Sequence, residues 1–200
     1  MTETPFLLAS TSAIRLALLQ NAGLSVTALP ARIDETALRQ SLEGDNASAR
    51  DIADTLAELK ARKIADRYPT ALVLGCDQVL AHHGQIFAKP TSCDDARSQL
   101  QRLRNSQHQL HSAIVLYHQS QPIWRHIDTA TLTMHNFSDS FLEAYLSRNW
   151  PAVSYSVGAY QLEHEGVRLF SSVQGDYFTI LGLPLLPLLS YLSQRGFIPS

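Results

Sequence analysis

Cysteine is scarce. Only Cys76 and Cys93 occur in 200 residues, and no Cys-x-x-Cys pair is present. That excludes a disulfide framework and a cysteine-built zinc site, and it suits a reducing cytosol. An excess of either charge is also missing: 16 Lys and Arg stand against 18 Asp and Glu, a net charge of −2. No basic field exists for a long nucleic acid, although a few local cations suffice for a small anion. Long apolar runs are absent as well. Glu3 and Pro5 precede only a brief apolar stretch, without the h-region of a secretory signal. The most apolar segment, Ile180 to Leu192, is broken by Gly182, Pro184 and Pro187 and is too short to span a bilayer. A cytoplasmic protein with neither membrane nor long nucleic acid as partner is expected. Several motifs are missing too. There is no Gly-Lys-Ser/Thr phosphate loop, no Gly-x-Gly-x-x-Gly fingerprint, no Gly-x-Ser-x-Gly elbow and no His-Glu-x-x-His. The eight histidines do not compose a zinc site, since the adjacent His82 and His83 diverge on a strand.

What is present reads as globular. Hydrophobic residues make up 45% of the chain and charged residues 17%, and the length fits one domain, residues 1–200, with a substantial core. Strands are expected at Phe6 to Ala9, Leu24 to Leu29, Ala71 to Gly75, Leu110 to Tyr117, Ile123 to Met134, Tyr155 to Leu162 and Val167 to Val173. Helices are expected at Ala13 to Asn21, Ala47 to Tyr68, from Ser92 through Leu103, at Ser138 to Arg148 and at Pro184 to Arg195. Pro30 to Asn46 reads as a loop with a short helix, and His83-Gly84 as a hairpin turn. Strands alternating with helices, plus an antiparallel section, predict an α/β class.

The first elements carry the clearest chemistry. Phe6-Leu7-Leu8-Ala9 runs into Ser10-Thr11-Ser12, and a helical pattern with Arg15 in its first turn follows. Such a strand-to-helix junction aims backbone N–H groups and the positive end of the helix dipole at one spot, which suits a phosphate. Arg15 adds a planar fork of donors. An ordinary capped helix explains the same residues. Asp77 follows the apolar run Leu72-Val73-Leu74-Gly75-Cys76, placed for a metal or a water nucleophile, or else for a turn. Glu35 is a second hard oxygen ligand or a solvated loop carboxylate. Lys60, on or beside the apolar face of its helix, is a functional cation or a snorkelling one. Lys89, before Pro90, is a phosphate cation or surface charge. Together these residues form a kit for metal-assisted attack of water on a phosphoanhydride.

The order of the blocks is more specific than any one of them. Leu8-Ala9-Ser10-Thr11-Ser12-x-x-Arg15, Ile33-Asp34-Glu35, Leu56-Ala57-x-x-Lys60-Ala61, Gly75-Cys76-Asp77-Gln78-Val79, Lys89-Pro90 and Gly182-Leu183-Pro184-Leu185 resemble the Maf (septum-formation) family of nucleoside triphosphate pyrophosphatases almost end to end. The resemblance implies cleavage between the α and β phosphates, giving a monophosphate and pyrophosphate, with Mg or Mn as cofactor. It implies an elongated two-lobed fold around a mixed, partly antiparallel sheet with a central cleft, similar to inosine triphosphatases. It also implies a homodimer and a house-cleaning role on modified nucleotides. By position, Asp77 would activate water, Glu35 and Asp77 would hold the metal, and Lys60 and Lys89 would serve the reacting triphosphate. Ser10, Ser12 and Arg15 would bind the phosphates, and Gln174 would lie near the site.

Three positions contact the base in this family and fall at Ile14, Gln78 and Glu163. Gln78 and Glu163 resemble the 7-methyl-GTP type rather than the dTTP/UTP type, and Ile14 matches neither. N7 methylation leaves a purine positively charged, which Glu163 would complement. Two further departures are Ala13-Ile14, where the family has Pro-Arg, and Val157-Gly158-Ala159, where it has Lys-Ala-Gly. The alternatives are a dTTP/UTP pyrophosphatase, a non-catalytic nucleotide-binding regulatory protein of the same fold, and a phosphatase releasing single phosphates.

Overall fold

The computed structural model describes residues 4–199, so Glu3 lies outside it. Seven strands form one mixed sheet: β1 (Phe6–Ala9), β2 (Thr27–Ala28), β3 (Leu72–His82), β4 (Gln85–Phe87), β5 (Gln107–His118), β6 (Gln121–Met134) and β7 (Phe170–Gln174). The strand order is β2-β1-β3-β5-β6-β7, and β4 pairs with β3. β1 lies parallel to both β2 and β3, with Leu8 opposite Leu74 and Ala9 opposite Gly75. β4 and β7 are antiparallel to their partners. The helices are α1 (Ala13–Asn21), α2 (Glu35–Gly44), α3 (Ala49–Ala65), α4 (Cys93–Leu103), α5 (Asp139–Asn149), the single turn α6 (Tyr177–Ile180) and α7 (Leu185–Gln194). This is the α/β class expected. Among the described residues no helix is long and apolar enough to cross a membrane.

Packing divides the chain into two compact units. The first comprises Met1–Asp77, Ser112–Asp128 and Gly182–Ser200; the second comprises Gln78–His111 and Thr129–Leu181. In the first, α3 buries Ile52, Ala53, Leu56, Ala57, Ala61 and Ile64 along one stripe, the helical spacing of an inward face. Serine caps set the starts of several helices: Ser12, Ser48, Ser92 and Ser138 each accept a backbone N–H three residues on. The second unit has its own core, in which Leu80, Leu100, Leu103, Leu132, Leu142 and Tyr145 are fully buried or nearly so.

Five elements depart from the sequence expectation. β3 does not stop at Gly75 but runs to His82, so Asp77 lies within a strand and not at its end. The second strand shrinks to Thr27–Ala28. The helix expected to be short in the 30–46 stretch runs from Glu35 to Gly44, started by Asp34, whose carboxylate accepts the Ala37 N–H at 3.0 Å. Tyr155 to Leu162 is not a strand. Short 3-10 turns replace it, because Gly158 (φ 78°) and Ala159 (φ 58°) leave the extended region. The last strand is correspondingly late, starting at Phe170 after a 3-10 turn over Glu165–Leu169.

The second unit also buries a titratable group. His108 is 2% exposed. Its Nε2 lies 2.9 Å from the Tyr160 hydroxyl, the rings of Tyr160 and Phe170 pack near it, and Nδ1 has no hydrogen-bond partner among the described residues. Burial, helped by nearby His82, pushes its pKa down from 6.5 to about 4. Below pH 6.5 the unfolded chain therefore takes up a proton that the folded chain refuses. Stability is expected to fall as pH drops from 6.5 to 4, by about 3 kcal/mol from this group. Denaturant melts across that range check it, and His108→Gln, which keeps a partner for Tyr160, should flatten the dependence.

Candidate active site

Asp77 and Lys60 meet inside the first unit. Lys60 is 7% exposed and Asp77 4%. The ammonium donates to Asp77 Oδ1 at 2.6 Å and lies 2.9 Å from Glu35 Oε1. Isolated, either charge would be expensive to bury; paired, each neutralises the other. Glu35 stands at the rim with its side chain 45% exposed. It is the first residue of α2, directly after the Asp34 cap, and a carboxylate there also complements the helix dipole.

Backbone proximity makes the pair possible. A Cβ added at Gly75 would collide with the Ala57 carbonyl and lie 2.7 Å from the Ala61 N and 2.8 Å from its Cβ. The helix therefore rests directly on the strand at this residue. Lys60 of the helix and Asp77 of the strand flank that contact, and the close approach brings their side chains into bonding range. The second carboxylate oxygen, Asp77 Oδ2, is buried and has no hydrogen-bond partner among the described residues. A buried acceptor left open in this way is unusual. It is the oxygen available to a water proton or to a cation.

The hydroxyl-rich turn adjoins this pair through the backbone. Ser12 caps α1, its Oγ accepting the Arg15 N–H at 3.4 Å, and Ser10 Oγ accepts the Ser12 N–H at 3.2 Å. The guanidinium of Arg15 donates to the Gly182 carbonyl at 2.8 Å through Nε and to the Cys76 carbonyl at 3.0 Å through Nη1. Ile14 is half-buried on the same first turn, and Thr11 is exposed. The Cys76 thiol, fully buried behind Asp77, is pushed up to about 11 by desolvation, which outweighs the opposing pull of Arg15 and Lys60. At neutral pH it is an inert thiol.

Glu35, Lys60, Asp77, Ser10, Ser12, Ile14 and Arg15 thus all belong to the first unit. The others, Gln78, Lys89, Glu163 and Gln174, belong to the second and stand on four separate segments. Gln78 donates its amide N–H groups to the Thr179 and Ile180 carbonyls at 3.1 and 2.9 Å. Lys89 is exposed after β4, and Gln174 sits at the end of β7 opposite Thr131. Glu163 lies half-buried in a turn, and its carboxylate has neither hydrogen bond nor ion pair among the described residues. Val157, where a lysine stands in the family pattern, is a core residue of the second unit.

Sequence reasoning assigned Lys60 to phosphate and did not anticipate that it binds two carboxylates. It also missed the two carbonyls that hold Arg15. The Gly182-Leu183-Pro184 block was the available signal for one of them; a main-chain carbonyl leaves no side-chain trace for the other.

A family model described as Maf-like protein matches residues 5–195. The nucleoside triphosphate pyrophosphatase of Roseobacter denitrificans is 56% identical over 195 residues, covering 98% of this chain and 98% of that one. Nucleoside triphosphate pyrophosphatase 1 of a Jannaschia species is 54% identical, covering 96% of this chain and 97% of its own. The 7-methyl-GTP pyrophosphatase of Rhizobium meliloti is 47% identical, covering 96% of each.

The buried pair carries a stability prediction. Lys60→Met strands a buried carboxylate and is expected to cost about 3 kcal/mol, with Glu35→Gln at the rim costing under about 1 kcal/mol. Adding Asp77→Asn to Lys60→Met should recover part of the loss. A double-mutant cycle in denaturant checks the coupling.

Proposed function

The chain belongs to the Maf family, and we propose that it is a hydrolase of nucleoside triphosphates, releasing pyrophosphate and leaving the monophosphate. The carrying observation is the buried Asp77, one oxygen held by Lys60 and the other open. A carboxylate fixed on one side and unpartnered on the other is poised to orient a water and take its proton. The water oxygen then bonds to the α-phosphorus, the α–β bridging P–O bond breaks, and the pyrophosphate departs with the electron pair.

The donor set also fits a divalent cation. Asp77 and Glu35 share one ammonium, both offer hard oxygens, and Oδ2 of Asp77 is an open buried acceptor. No group of three His, Cys, Asp or Glu side chains able to hold a metal occurs among the described residues. Mg and Mn are commonly held by one or two carboxylates, waters and the substrate's own phosphates. Asp77 and Glu35 would hold the ion, and its charge would neutralise the triphosphate oxygens. Lys60 is assigned two tasks, orienting Asp77 and offsetting phosphate charge. The hydroxyls of Ser10 and Ser12 and the guanidinium of Arg15 are assigned to the phosphates, at the N-terminus of α1. Lys89 and Gln174 are assigned by the family pattern alone, as are a homodimer and a cytoplasmic setting.

For the base we propose 7-methyl-GTP. Support comes from the half-buried carboxylate of Glu163, which has no ion pair among the described residues and suits a cationic purine, and from the name of the Rhizobium relative. Gln78 and Ile14 are assigned to base recognition by the family pattern alone. Ile14 offers no aromatic platform for stacking, a loss of roughly 1 kcal/mol or more, so discrimination should be modest.

Two measurements test this. Asp77→Asn is expected to lower pyrophosphate release by about 10²-fold or more with the fold retained by circular dichroism. Full activity in that variant, or orthophosphate as the product, overturns the chemistry, and nucleotide binding without turnover in the native chain identifies a regulatory binder instead. In a panel of triphosphates, 7-methyl-GTP should have the highest kcat/KM, and Glu163→Gln should erode its advantage. A clear preference for dTTP or UTP overturns that assignment.

A further inference from the structure

Arg15 is occupied in an unexpected way. Of its five N–H donors, the Nε donor points to the Gly182 carbonyl at 2.8 Å, and Nη1 serves the Cys76 carbonyl at 3.0 Å and Ser10 Oγ at 3.5 Å. Only Nη2 has no hydrogen-bond partner among the described residues. The guanidinium is planar, so two bonds to fixed main-chain oxygens set the orientation of the whole group. The acceptors are telling. The β1–β3 ladder ends at the pair Ala9–Gly75. Cys76 is the next residue, and its carbonyl finds its donor in a side chain rather than in that ladder. That carbonyl belongs to the same rigid peptide plane as the Asp77 nitrogen. On the other flank Gly182 has φ +88°, and an added Cβ would stand 3.0 Å from Nη2 and 3.1 Å from Nε of Arg15. Bare main chain lies against the cation there.

We propose that Arg15 is a positioning residue for Asp77: its guanidinium ties the Cys76–Asp77 peptide to Gly182 and so presents the carboxylate to Lys60 and to water. The proposal rests on the pyrophosphatase reading for its kinetic consequence, not for its geometry. Asp77 is then restrained twice, through its side chain by Lys60 and through its main chain by Arg15. A lysine at position 15 keeps the positive charge near the phosphates but cannot span two carbonyls in one plane.

Arg15→Lys and Gly182→Ala, checked for folding by thermal melts, separate this role from phosphate binding. In both, kcat for pyrophosphate release should fall about 10- to 100-fold, while KM and affinity for an α,β-methylene triphosphate stay within about 3-fold. Hydrogen exchange at residues 76–78 should quicken, and the double variant should be scarcely worse than the single ones. An Arg15→Lys variant with native kcat and native exchange overturns the proposal. So does one that loses analogue affinity about tenfold while Gly182→Ala is silent, which returns Arg15 to phosphate binding alone. If the native chain releases no pyrophosphate from any triphosphate, the functional reading fails, and exchange at residues 76–78 still decides the tie. If Gly182→Ala does not fold, the kcat and KM of Arg15→Lys, with its exchange, decide.

Discussion

The ion pair between Lys60 and Asp77 is the constraint on which the first unit is organised. Two opposite charges, each almost out of water, are tolerable only at hydrogen-bonding distance, and that distance dictates backbone placement. α3 must lie on β3 without a side chain between them, which is why the strand has glycine and the helix has alanines at the crossing. The remaining stripe of α3 supplies the apolar burial that holds it there. Once the pair is fixed, Glu35 completes it from the rim, and the open oxygen of Asp77 acquires a defined direction. The cost of burying charge is thus offset by a pairing that also fixes the orientation of the Asp77 carboxylate.

Much of this was legible beforehand. Periodicity placed α3, and it put Lys60 on or beside the apolar face, since a turn separates it from Leu56 and another from Ile64. Proline and glycine marked the ends of α1, β3's hairpin and α7. Where the reading failed, either a tertiary partner or a local turn had overruled the alternation pattern. Asp77 looked like the end of a strand because an isolated carboxylate stops one; Lys60, distant in sequence, removes that penalty and β3 continues. Tyr155 to Leu162 alternated like a strand, yet Gly158 and Ala159 turn it while the second unit's core absorbs its apolar residues. Glu35, Lys60 and Asp77, which the structure brings together, stood out by residue type and order along the chain, whereas the bonding of Arg15 to main-chain carbonyls had no counterpart in residue type.

In the serine-rich turn, capping geometry leaves room for the proposed second role. Ser12 satisfies an orphan N–H of α1, and Ser10 supports Ser12 in turn. Those bonds explain the residues without any ligand. They also leave hydroxyl protons at the helix N-terminus, where the dipole favours an anion. Capping uses the oxygens as acceptors, so the phosphate role proposed above would not compete with it, because an anion would use the protons.

The crossing of α3 over β3 has a consequence for how such a chain can change. Gly75, Ala57 and Ala61 are small together, and their shared contact leaves no slack for a methyl group on the strand. Volume at these three positions is a common property, not a sum of independent ones. A sequence drifting under selection can enlarge one only by lifting the helix, and lifting the helix lengthens the reach from residue 60 to residue 77. The neighbourhood of the charge pair is therefore coupled to three uncharged residues, so substitutions there should be tolerated jointly or not at all.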